Sequence, residues 1–248
     1  MKIVINPAYR HLEPFVRQLP RIFGKEGSLV YAGRNTIKVF EEKGISVNVK
    51  SFRLPCFLNG IVYGFFRPSK ARRSYEYGLK LRAENILTPT PIAYIEQKRF
   101  GLLRGSYYLS AHLEYDGMLR ELRTGTLSGR EDLLRAFARF TAEIHQHQIF
   151  HKDFSPGNIL YLRDGNDYRF YLVDINRMKF CPVGMEKGCK NLQRLWGSEE
   201  MLRFLAREYA RCRHMDAADC ENLTLRHHRH FWKKYSARHK GFLPYLDS

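Results

Sequence analysis

Three side chains that could hold a metal ion or accept a proton stand in one part of the sequence. Asp153 and Asn158 belong to the turn-rich stretch 151–158, and Asp174 ends the apolar run 171–173. Transfer of a phosphoryl group from a nucleotide needs such a set: one carboxylate receives a hydroxyl proton, and an Asn and a second Asp hold Mg²⁺. The stretch therefore predicts phosphoryl transfer, with Asp153 as the base and Asn158 and Asp174 as metal ligands.

The spacing of these residues supports the same chemistry. The step of five residues from Asp153 to Asn158 is the step in the H-R-D-L-x-x-x-N loop of protein kinases, with His151 at the histidine position. Asp174 stands where the D-F-G aspartate would stand. A simpler interpretation is open at this point, because Pro156 and the glycine after it oblige the chain to turn, and Asp153 and Asn158 could be turn or capping residues. The elements around the loop decide between the two.

A meander of strands is predicted well before the loop. Residues 28–32, 36–40 and 45–52 read as three strands with turn residues between them. Lys50 lies on the third run, in a V-N-V-K string similar to the V-A-I-K strand whose lysine reaches the nucleotide phosphates. Lys38, on the second run, is the alternative. We predict Lys50, because in the kinase arrangement the third strand carries this lysine.

The first hairpin of the meander is the poorest match to a kinase. The turn 32–35 contains the single glycine Gly33 instead of G-x-G-x-x-G. A cradle of backbone N–H groups for phosphate is therefore incomplete, and Arg34 or Asn35 would supply side-chain donors. We predict that Gly33 and Arg34 lie at the nucleotide.

Residues 70–85 have the pattern of a helix. Its predicted apolar stripe consists of Tyr75, Leu79, Ala83 and Ile86. Glu76 is predicted to face partly inward beside this stripe and to orient Lys50, with Glu84 as the alternative. A surface pair of Glu76 with Lys80, four residues further on, is the competing interpretation.

The first half of the chain is predicted to fold by itself. Runs at 92–96 and 102–113 bring the total to about five strands and one helix. His112, Leu113 and Glu114 stand where an interlobe hinge would offer backbone groups to adenine.

Helices dominate the second half. Ser128 and Glu131 form a possible capping box at the start of a long helix that ends near His147. The core stripe of this helix is predicted to be Leu133, Phe137, Phe140 and Ile144. Two further helices are predicted at 199–213 and 219–240. The stripe of the first of these is Leu202, Leu205, Ala206 and Tyr209.

These patterns predict an α+β, bilobal, protein-kinase-like fold. Residues 1–113 would form an N-lobe, with an antiparallel β-sheet and one helix, that binds the nucleotide phosphates. Residues 114–248 would form a reduced, mostly helical C-lobe that carries the catalytic loop, the metal site and the acceptor site. The stretch 177–197 contains no Ser, Thr or Tyr, so it offers no phosphate-gated activation segment.

The bulk composition limits the class of protein, its compartment and its partners. With 44% apolar residues in a chain of 248, a sizeable core can be buried. Five cysteines without a C-x-x-C pair indicate free thiols in a reducing compartment. We expect neither secretion nor a transmembrane span, because no long apolar run is present. The net charge of +17 attracts polyanions, whether nucleic acid, a phosphorylated lipid or an anionic membrane.

The chain resembles the lipopolysaccharide core kinase family, the bacterial Kdo and heptose kinases with a protein-kinase-like fold. The resemblance is carried by residues 47–50, 70–85 with the following 88–93, 151–160 and 172–176. It implies ATP and Mg²⁺ as cofactors and a sugar hydroxyl of the lipopolysaccharide inner core or of a lipid A precursor as acceptor. It also implies that Lys50 binds the nucleotide phosphates, Glu76 orients Lys50, Asp153 is the base, Asn158 and Asp174 hold Mg²⁺, and His151 braces the loop.

Three positions depart from the protein-kinase pattern. Lys152 replaces the arginine of H-R-D. Ser155 stands where Ser/Thr kinases keep a lysine that helps the γ-phosphate, which argues against an ordinary protein kinase. Asn176 replaces the glycine of D-F-G, and its role is open.

The resemblance also suggests a use for the positive charge. An anionic glycolipid at the cytoplasmic face of the inner membrane would be held by cations, and we expect the protein in the cytoplasm or peripherally at that face, without nucleic acid as a partner. The candidate cations are Arg67, Lys70, Arg72, Arg73, Arg226, Arg229, Lys233, Lys234, Arg238 and Lys240. A solvated face without a partner is the competing interpretation. An atypical protein kinase, another small-molecule phosphotransferase and a non-catalytic basic pseudokinase scaffold are the alternative functions, and the oligomeric state is open.

Overall fold

The chain forms two compact units, Met1–Glu114 and Tyr115–Ser248. The structure is a computed structural model and describes residues 1–53, 68–239 and 242–245. Two of the predicted acceptor-binding cations, Arg67 and Lys240, lie outside the described residues.

The first unit contains a six-stranded antiparallel sheet with the strand order β1-β5-β6-β4-β3-β2. Its strands are β1 (Lys2–Ile5), β2 (Ser28–Ala32), β3 (Asn35–Glu42), β4 (Ile45–Phe52), β5 (Pro91–Arg99) and β6 (Leu102–Ala111). The three strands of the predicted meander are confirmed. The β3–β4 hairpin turns at Lys43 and Gly44, both with positive φ, which suits the twist of a two-residue hairpin.

One face of this sheet is covered by a helix that the sequence did not predict. Helix α1 (Glu13–Ile22) follows a 3₁₀ turn, Pro7–Leu12. Proline is tolerated in a first helical turn, so Pro14 does not prevent the helix. The buried residues of this segment and of the facing strands form one apolar cluster. Its members include Leu12, Phe15, Val16, Leu19, Phe40, Val47, Val49, Ile92, Ile95 and Leu109.

The opposite face of the sheet packs against helix α2 (Lys70–Ala83), whose N-cap Ser69 accepts a hydrogen bond from the N–H of Arg72. The predicted stripe is wrong in part, because Leu79 is 40% exposed and Ala83 is exposed. The buried side consists of Ala71, Arg73, Ser74, Tyr75, Gly78 and Leu81. Small residues on this side allow the helix to approach the sheet closely, where Tyr75 packs on Tyr94 with ring centroids 5.4 Å apart.

The second unit is mostly helical. Its helices are α3 (Glu131–Gln146), α4 (Met185–Asn191), α5 (Glu199–Cys212) and α6 (Ala217–Arg238). Its short strands are β7 (Gly117–Met118), β8 (Ile149–His151), β9 (Ile159–Asp164), β10 (Asp167–Leu172) and β11 (Met178–Phe180). Strands β10, β9 and β7 form one small antiparallel sheet, and β11 pairs with β8.

Helix α3 is the core helix of this unit. All four residues of its predicted stripe are buried, and so are six further side chains. The predicted capping box is wrong. The N-cap is Arg130 without a side-chain hydrogen bond, and Ser128 is exposed beside Gly129, whose φ of +80° forms the preceding turn. The predicted stripe of α5 is buried as expected. No helix among the residues the structure describes is long and apolar enough to span a membrane.

Candidate active site

The predicted catalytic loop connects two strands of the second unit. It leaves β8 at His151, passes through a short 3₁₀ turn, Pro156–Asn158, and enters β9. Proline at the start of the turn suits its fixed φ, and the N–H of Asn158 donates to the carbonyl of Ser155 at 2.9 Å. The loop is therefore a defined turn between paired strands, which sets the direction of its side chains.

His151 is fully buried and joins the loop to the strand end that precedes Asp174. Its Nδ1 lies 3.0 Å from the backbone nitrogen of Asp153, and its Nε2 lies 3.1 Å from the carbonyl oxygen of Val173. Because the N–H of Asp153 must donate, Nδ1 accepts and Nε2 carries the proton that goes to Val173. Burial lowers the pKa of His151, which favours this neutral form. A neutral, doubly bonded imidazole holds Asp153 and Val173 in a fixed relation.

Asn158 makes a second internal link in the loop. Its Nδ2 donates to the carbonyl of Asp153 at 2.9 Å, and its own carbonyl accepts from the N–H of Val173 at 3.0 Å. The first bond directs the amide hydrogens toward the loop, so Oδ1 is the atom left to face a cation. The second bond brings the backbone of Asn158 next to the residue that precedes Asp174.

Asp174 adopts the left-handed conformation, with φ of +53°. Asp is among the residues that tolerate this conformation, although a non-glycine residue there is uncommon and such positions cluster at functional sites. The Nδ2 of Asn176 donates to Oδ1 of Asp174, and Asn176 is itself buried. The asparagine that replaces the glycine of D-F-G therefore orients the carboxylate two residues before it.

Asn158 and Asp174 suit a hard cation. Both offer oxygen atoms, the ligand type that Mg²⁺ prefers, and Mg²⁺ usually takes only one or two protein ligands beside phosphate oxygens and water. The described residues contain no group of three or more His, Cys, Asp or Glu that could hold a metal ion by itself. Two protein ligands of this kind are the number that Mg²⁺ usually takes when phosphate and water complete its shell.

Arg194 is a residue of this site that the sequence did not predict. Its Nη1 lies 2.8 Å from Oδ1 of Asp153, in an ion pair whose side chains are 34% and 24% exposed. The guanidinium also lies over the ring of Phe231 in α6, 5.0 Å from the centroid. The only sequence signal was negative: the cation expected at Ser155 is missing. A cation reaches Asp153 from a turn 41 residues further along the chain.

A buried chain of hydrogen bonds supports the loop from behind. Arg213 donates to the hydroxyl of Tyr209, which lies 2.9 Å from Nδ1 of His145. Nε2 of His145 lies 3.0 Å from Oδ1 of Asn191, whose Nδ2 donates to the carbonyl of His151 at 2.9 Å. One assignment satisfies every member: Tyr209 donates to Nδ1, and Nε2–H donates to Asn191. The chain connects α5, α3 and α4 to the first residue of the loop.

His145, the histidine side chain in this chain of hydrogen bonds, stays uncharged. Burial lowers the pKa of His145 to about 4, opposed by its hydrogen bond to Asn191 and reinforced by the charges of Arg213 and Lys187. A protonated His145 would have no lone pair to accept from Tyr209, so the neutral form is the one that completes the chain.

In the first unit, the structure separates the two candidate lysines. Lys38 donates to the carbonyls of Phe23 and Glu26 at 2.8 and 2.7 Å, so it satisfies backbone groups at the end of α1. Lys50 lies on the other face of the sheet, because it is paired with Tyr108, which belongs to the cluster under α2. Its Nζ lies 5.4 Å from the ring centroid of Phe52.

Glu76 does not face inward as predicted. It is exposed, and its Oε1 accepts from Nε of Arg72 at 2.7 Å, one turn earlier in α2. This pair also raises the pKa of Arg72. The alternative Glu84 is the exposed C-cap of the same helix. The side of α2 that faces the sheet contains Gly78 and Tyr75. The centre of this side lies nearly opposite to Glu76 around the helix.

The remaining predicted nucleotide contacts are at the edge and at the end of the sheet. Gly33 and Arg34 are exposed in the β2–β3 turn, where the N–H of Gly33 donates to the carbonyl of Asn35. The N–H of His112 donates to the carbonyl of Ser46 at 2.8 Å, so this predicted donor to adenine is already used. Leu113 and Glu114 end the first unit and stay candidates.

The predicted acceptor-binding cations differ in their surroundings, since some are in ion pairs, one is buried and others are exposed. Arg72, Arg226 and Arg229 are in ion pairs with Glu76, Glu186 and Glu199. Arg73 is buried, at 7% exposure. Three exposed cations of α6 stay candidates for an anionic acceptor, namely Lys233, Lys234 and Arg238.

Comparison with solved structures identifies the fold. The structure described as "WaaP in complex with acyl carrier protein" matches 95% of this chain and 100% of that chain, with a TM-score of 0.62 and 17% sequence identity. This likeness, together with the antiparallel sheet and the helical second unit, shows the predicted protein-kinase-like fold.

Sequence comparison identifies the family. The lipopolysaccharide kinase (Kdo/WaaP) family model matches residues 67–221, more than half of the chain, so the protein belongs to this family and the resemblance is confirmed. A 3-deoxy-D-manno-octulosonic acid kinase of Mannheimia succiniciproducens is 29% identical over 136 residues, which are 54% of this chain and 55% of that protein. A Caenorhabditis elegans protein provisionally named ribosomal protein S6 kinase alpha-2 is 28% identical over 103 residues, 42% of this chain and 13% of that protein. The chain thus covers less than two thirds of either relative.

Proposed function

We propose that the protein is an ATP-dependent kinase that phosphorylates a sugar hydroxyl, of Kdo or heptose, in the lipopolysaccharide inner core or a lipid A precursor. The observation that carries the proposal is the loop in which His151 and Asn158 hold Asp153 beside the strand end that leads to Asp174. Membership of the lipopolysaccharide kinase family supports a sugar as the acceptor.

Asp153 is the proposed general base. One of its oxygens, Oδ1, is held by Arg194, and we assign Oδ2 to the acceptor hydroxyl. As the hydroxyl oxygen forms its bond to the γ-phosphorus of ATP, the bond from that phosphorus to the β–γ bridging oxygen breaks, ADP leaves, and Asp153 takes the hydroxyl proton. Because such a reaction depends mainly on positioning and charge stabilisation, a carboxylate fixed before the substrate arrives is an advantage.

Asn158 and Asp174 are the proposed ligands of Mg²⁺. The ion, when bound with ATP, neutralises phosphate charge that builds up during transfer. The protein contributes two oriented oxygens. Asn158 is oriented by its bond to Asp153, and Asp174 is oriented by Asn176.

Lys50 is the proposed phosphate-binding lysine of the first unit, because Lys38 is committed to α1. Gly33, Arg34 and the backbone of Leu113 and Glu114 are proposed as further nucleotide contacts.

Two acids are candidates for orienting Lys50. Glu76 is the one predicted from the family pattern, and its exposure and its pair with Arg72 leave it on the outer side of α2. Glu96 is only 5% exposed. It lies on the same sheet face as Lys50. Lys50 is paired with Tyr108, and Tyr108 is paired with Tyr94. Glu96 follows Tyr94 by two residues on β5, so both side chains point to the same face. Of the variants Glu76→Gln and Glu96→Gln, the one that raises the KM for ATP identifies the acid.

An anionic glycolipid is the proposed acceptor, with the protein acting peripherally at the cytoplasmic face of the inner membrane. Lys233, Lys234 and Arg238 are exposed cations on α6. The same helix contains Phe231, whose ring contacts the guanidinium of Arg194. This shared helix is the reason to look for acceptor contacts there.

The test is transfer of labelled phosphate from ATP by the purified protein. We expect transfer with Mg²⁺ to a Kdo- or heptose-bearing lipid precursor and none after chelation of the metal. The partial match to a protein named as an S6 kinase makes a protein substrate the second candidate. Phosphorylation of a protein, with no turnover on any such lipid, would replace the proposed function by that one. An Asp174→Asn variant with wild-type turnover would rule out the assigned site.

A further inference from the structure

The β5–β6 hairpin ends in an aromatic side chain that stands in water. Its turn is Phe100–Gly101, and Phe100 is 84% exposed, more than any other large hydrophobic residue that the structure describes. Strand β5 continues through Arg99, directly before this turn. The two-residue turn therefore projects Phe100 from the end of two paired strands.

The backbone at this turn is unfavourable for a bulky residue. Phe100 and Gly101 have φ of +51° and +74°. Such turns prefer Asn, Asp or Gly at the first position, because with a positive φ the Cβ of other residues approaches the following carbonyl. An exposed Phe contributes nothing to a core that would compensate for this cost. Strain of this kind, together with exposure, points to a function of the side chain itself.

Three cations belong to the same hairpin tip as Phe100. Lys98, Arg99 and Arg104 are exposed, and the guanidinium of Arg99 lies 5.3 Å from the ring centroid of Phe100. These four residues and Gln97 line one surface depression. The only acidic residue of the two strands and their turn is Glu96, which is buried. The hairpin tip thus combines one apolar side chain with three positive charges and no exposed negative charge.

We propose that this tip, residues 97–104, docks on the surface of an anionic lipid bilayer. Phe100 would enter the interface between headgroups and acyl chains, and Lys98, Arg99 and Arg104 would contact lipid phosphates. A tip of these eight residues is too small for a stable protein interface, which needs about 1,000 Å² or more. A bilayer, by contrast, accepts a single inserted ring and long cationic side chains whose stems lie along apolar surface.

The proposal rests on the proposed use of a lipid-linked acceptor, and it names the surface that the first unit brings to the membrane. It differs from the sequence prediction, which placed membrane contacts near residue 70 and in the C-terminal helix. Binding through the tip requires neither ATP nor the catalytic loop, so the two proposals can be tested apart.

The strained turn makes one variant especially informative. Phe100→Asn places a preferred residue at the left-handed position, so it should raise the thermal stability of the protein while it weakens membrane binding. A purely structural role for Phe100 would change both properties in the same direction. Phe100→Trp keeps the aromatic ring and should retain binding, with a blue shift of its emission when vesicles are added.

Binding is measured by co-sedimentation with vesicles of phosphatidylglycerol and phosphatidylcholine, and with pure phosphatidylcholine, in the absence of ATP. We expect wild type to bind the anionic vesicles and Phe100→Asn to lower the partition coefficient about tenfold, the lower end for burial of a Phe side chain. Arg99→Gln/Arg104→Gln should lower it about 25-fold, at about fivefold for each cation. The matched control Arg21→Gln/Lys25→Gln removes the same charge from exposed positions of the same unit and should change it less than twofold.

Three outcomes would overturn the proposal: no binding of wild type to anionic vesicles, wild-type binding by Phe100→Asn, or an equal loss in the control. A larger loss in Lys233→Gln/Lys234→Gln would move the contact to α6. Kinase activity is measured separately, with wild type and a deacylated acceptor in the absence of vesicles. A protein that binds vesicles but transfers no phosphate would refute the proposed function and leave the docking surface standing.

Discussion

The two units hold their predicted site residues in different ways. In the second unit, Asp153 is bonded through its backbone to His151 and through its side chain to Arg194, and Asp174 is bonded to Asn176. In the first unit, several of the predicted contacts lie on exposed surface. Gly33 and Arg34 are at a sheet-edge turn, and Glu76 is paired outward with Arg72.

From this difference we infer a division of work between the units within the proposed function. Groups that must meet charge as it develops are most effective when they are fixed beforehand, and the second unit supplies such groups. Exposed donors can adjust to a ligand, at the cost of ordering them on binding. We therefore expect substitutions in the second unit to lower kcat, and those at the exposed positions of the first unit to act mainly on the KM for ATP.

The largest effect should come from the proposed metal ligand. Asp174→Asn removes the charge that Asn176 orients, and we expect kcat to fall by about 10³-fold or more, whereas Asp153→Asn should cost about 10²-fold, in the range for a general base. Both values are measured by initial rates at saturating ATP. The matched control is Asp164→Asn, an exposed aspartate of the β9–β10 hairpin that pairs with Arg169. The reverse order, with Asp153→Asn the more damaging variant, would break the division of roles within the second unit.

Acid should affect the second unit first. The pKa of His145 is about 4 in the folded chain, below its ordinary 6.5, so as pH falls the unfolded chain takes up the proton first. The stabilisation is complete above about pH 6.5 and is lost progressively toward pH 4, about 3 kcal/mol for this group. Burial also lowers the pKa values of His151 and His228.

Hydrogen exchange at pH 7 and pH 5, corrected for the intrinsic rate, should show selective loss of protection in α3 and α6 relative to the β4–β6 strands. In His145→Gln, an amide can still donate to Asn191 and accept from Tyr209 without taking up a proton. This variant should reduce the pH dependence of the unfolding free energy. An equal loss of protection in the sheet would contradict the contrast between the units.

Features formed by neighbouring residues were predictable from the sequence. The meander β2–β4 followed from alternation and turn residues, and the loop at Asp153 followed from a fixed spacing. The buried face of α2 was harder than those of α3 and α5, because Gly78 is buried there while the larger, neighbouring Leu79 is 40% exposed. An apolar pattern alone cannot report that choice.

Long-range partners were not predictable. A missing lysine at Ser155 showed that a cation was absent from the usual place, but nothing in the sequence indicated that Arg194 would form an ion pair with Asp153. The same holds for Asn191, whose bonds to His145 and to the loop depend on where α4 packs. Each of these contacts joins residues about 40 or more positions apart, which only the fold brings together.

Substitution of Lys50 and of Lys38 tests which lysine of the first unit binds the nucleotide phosphates. Lys50→Met should lower kcat/KM by about 10²-fold, the usual cost of one phosphate or oxyanion donor. Lys38→Met should leave the kinetics unchanged and lower the unfolding free energy by about 2 kcal/mol, because it removes charged hydrogen bonds to two carbonyls. Urea denaturation and ATP titrations of both variants separate the two effects. An inactive but stable Lys38→Met would reverse the assignment.

The smallest of these effects concerns the cation that reaches Asp153 from outside the loop. If Arg194 takes the place of the lysine missing at Ser155, then Arg194→Met should lower kcat by about 15-fold, at the low end of the 1.5–3 kcal/mol expected for a charged hydrogen bond. Adding Ser155→Lys to that variant should then restore most of the activity, because it returns a cation to the position from which protein kinases supply it. Phe231→Leu, which removes the ring beneath the guanidinium but not its charge, should cost less than Arg194→Met. A structural role for Arg194 would be revealed by a double variant as slow as Arg194→Met alone. Rescue by Ser155→Lys would show instead that the fold of the second unit supplies, through Arg194, the cation that the loop sequence lacks at position 155.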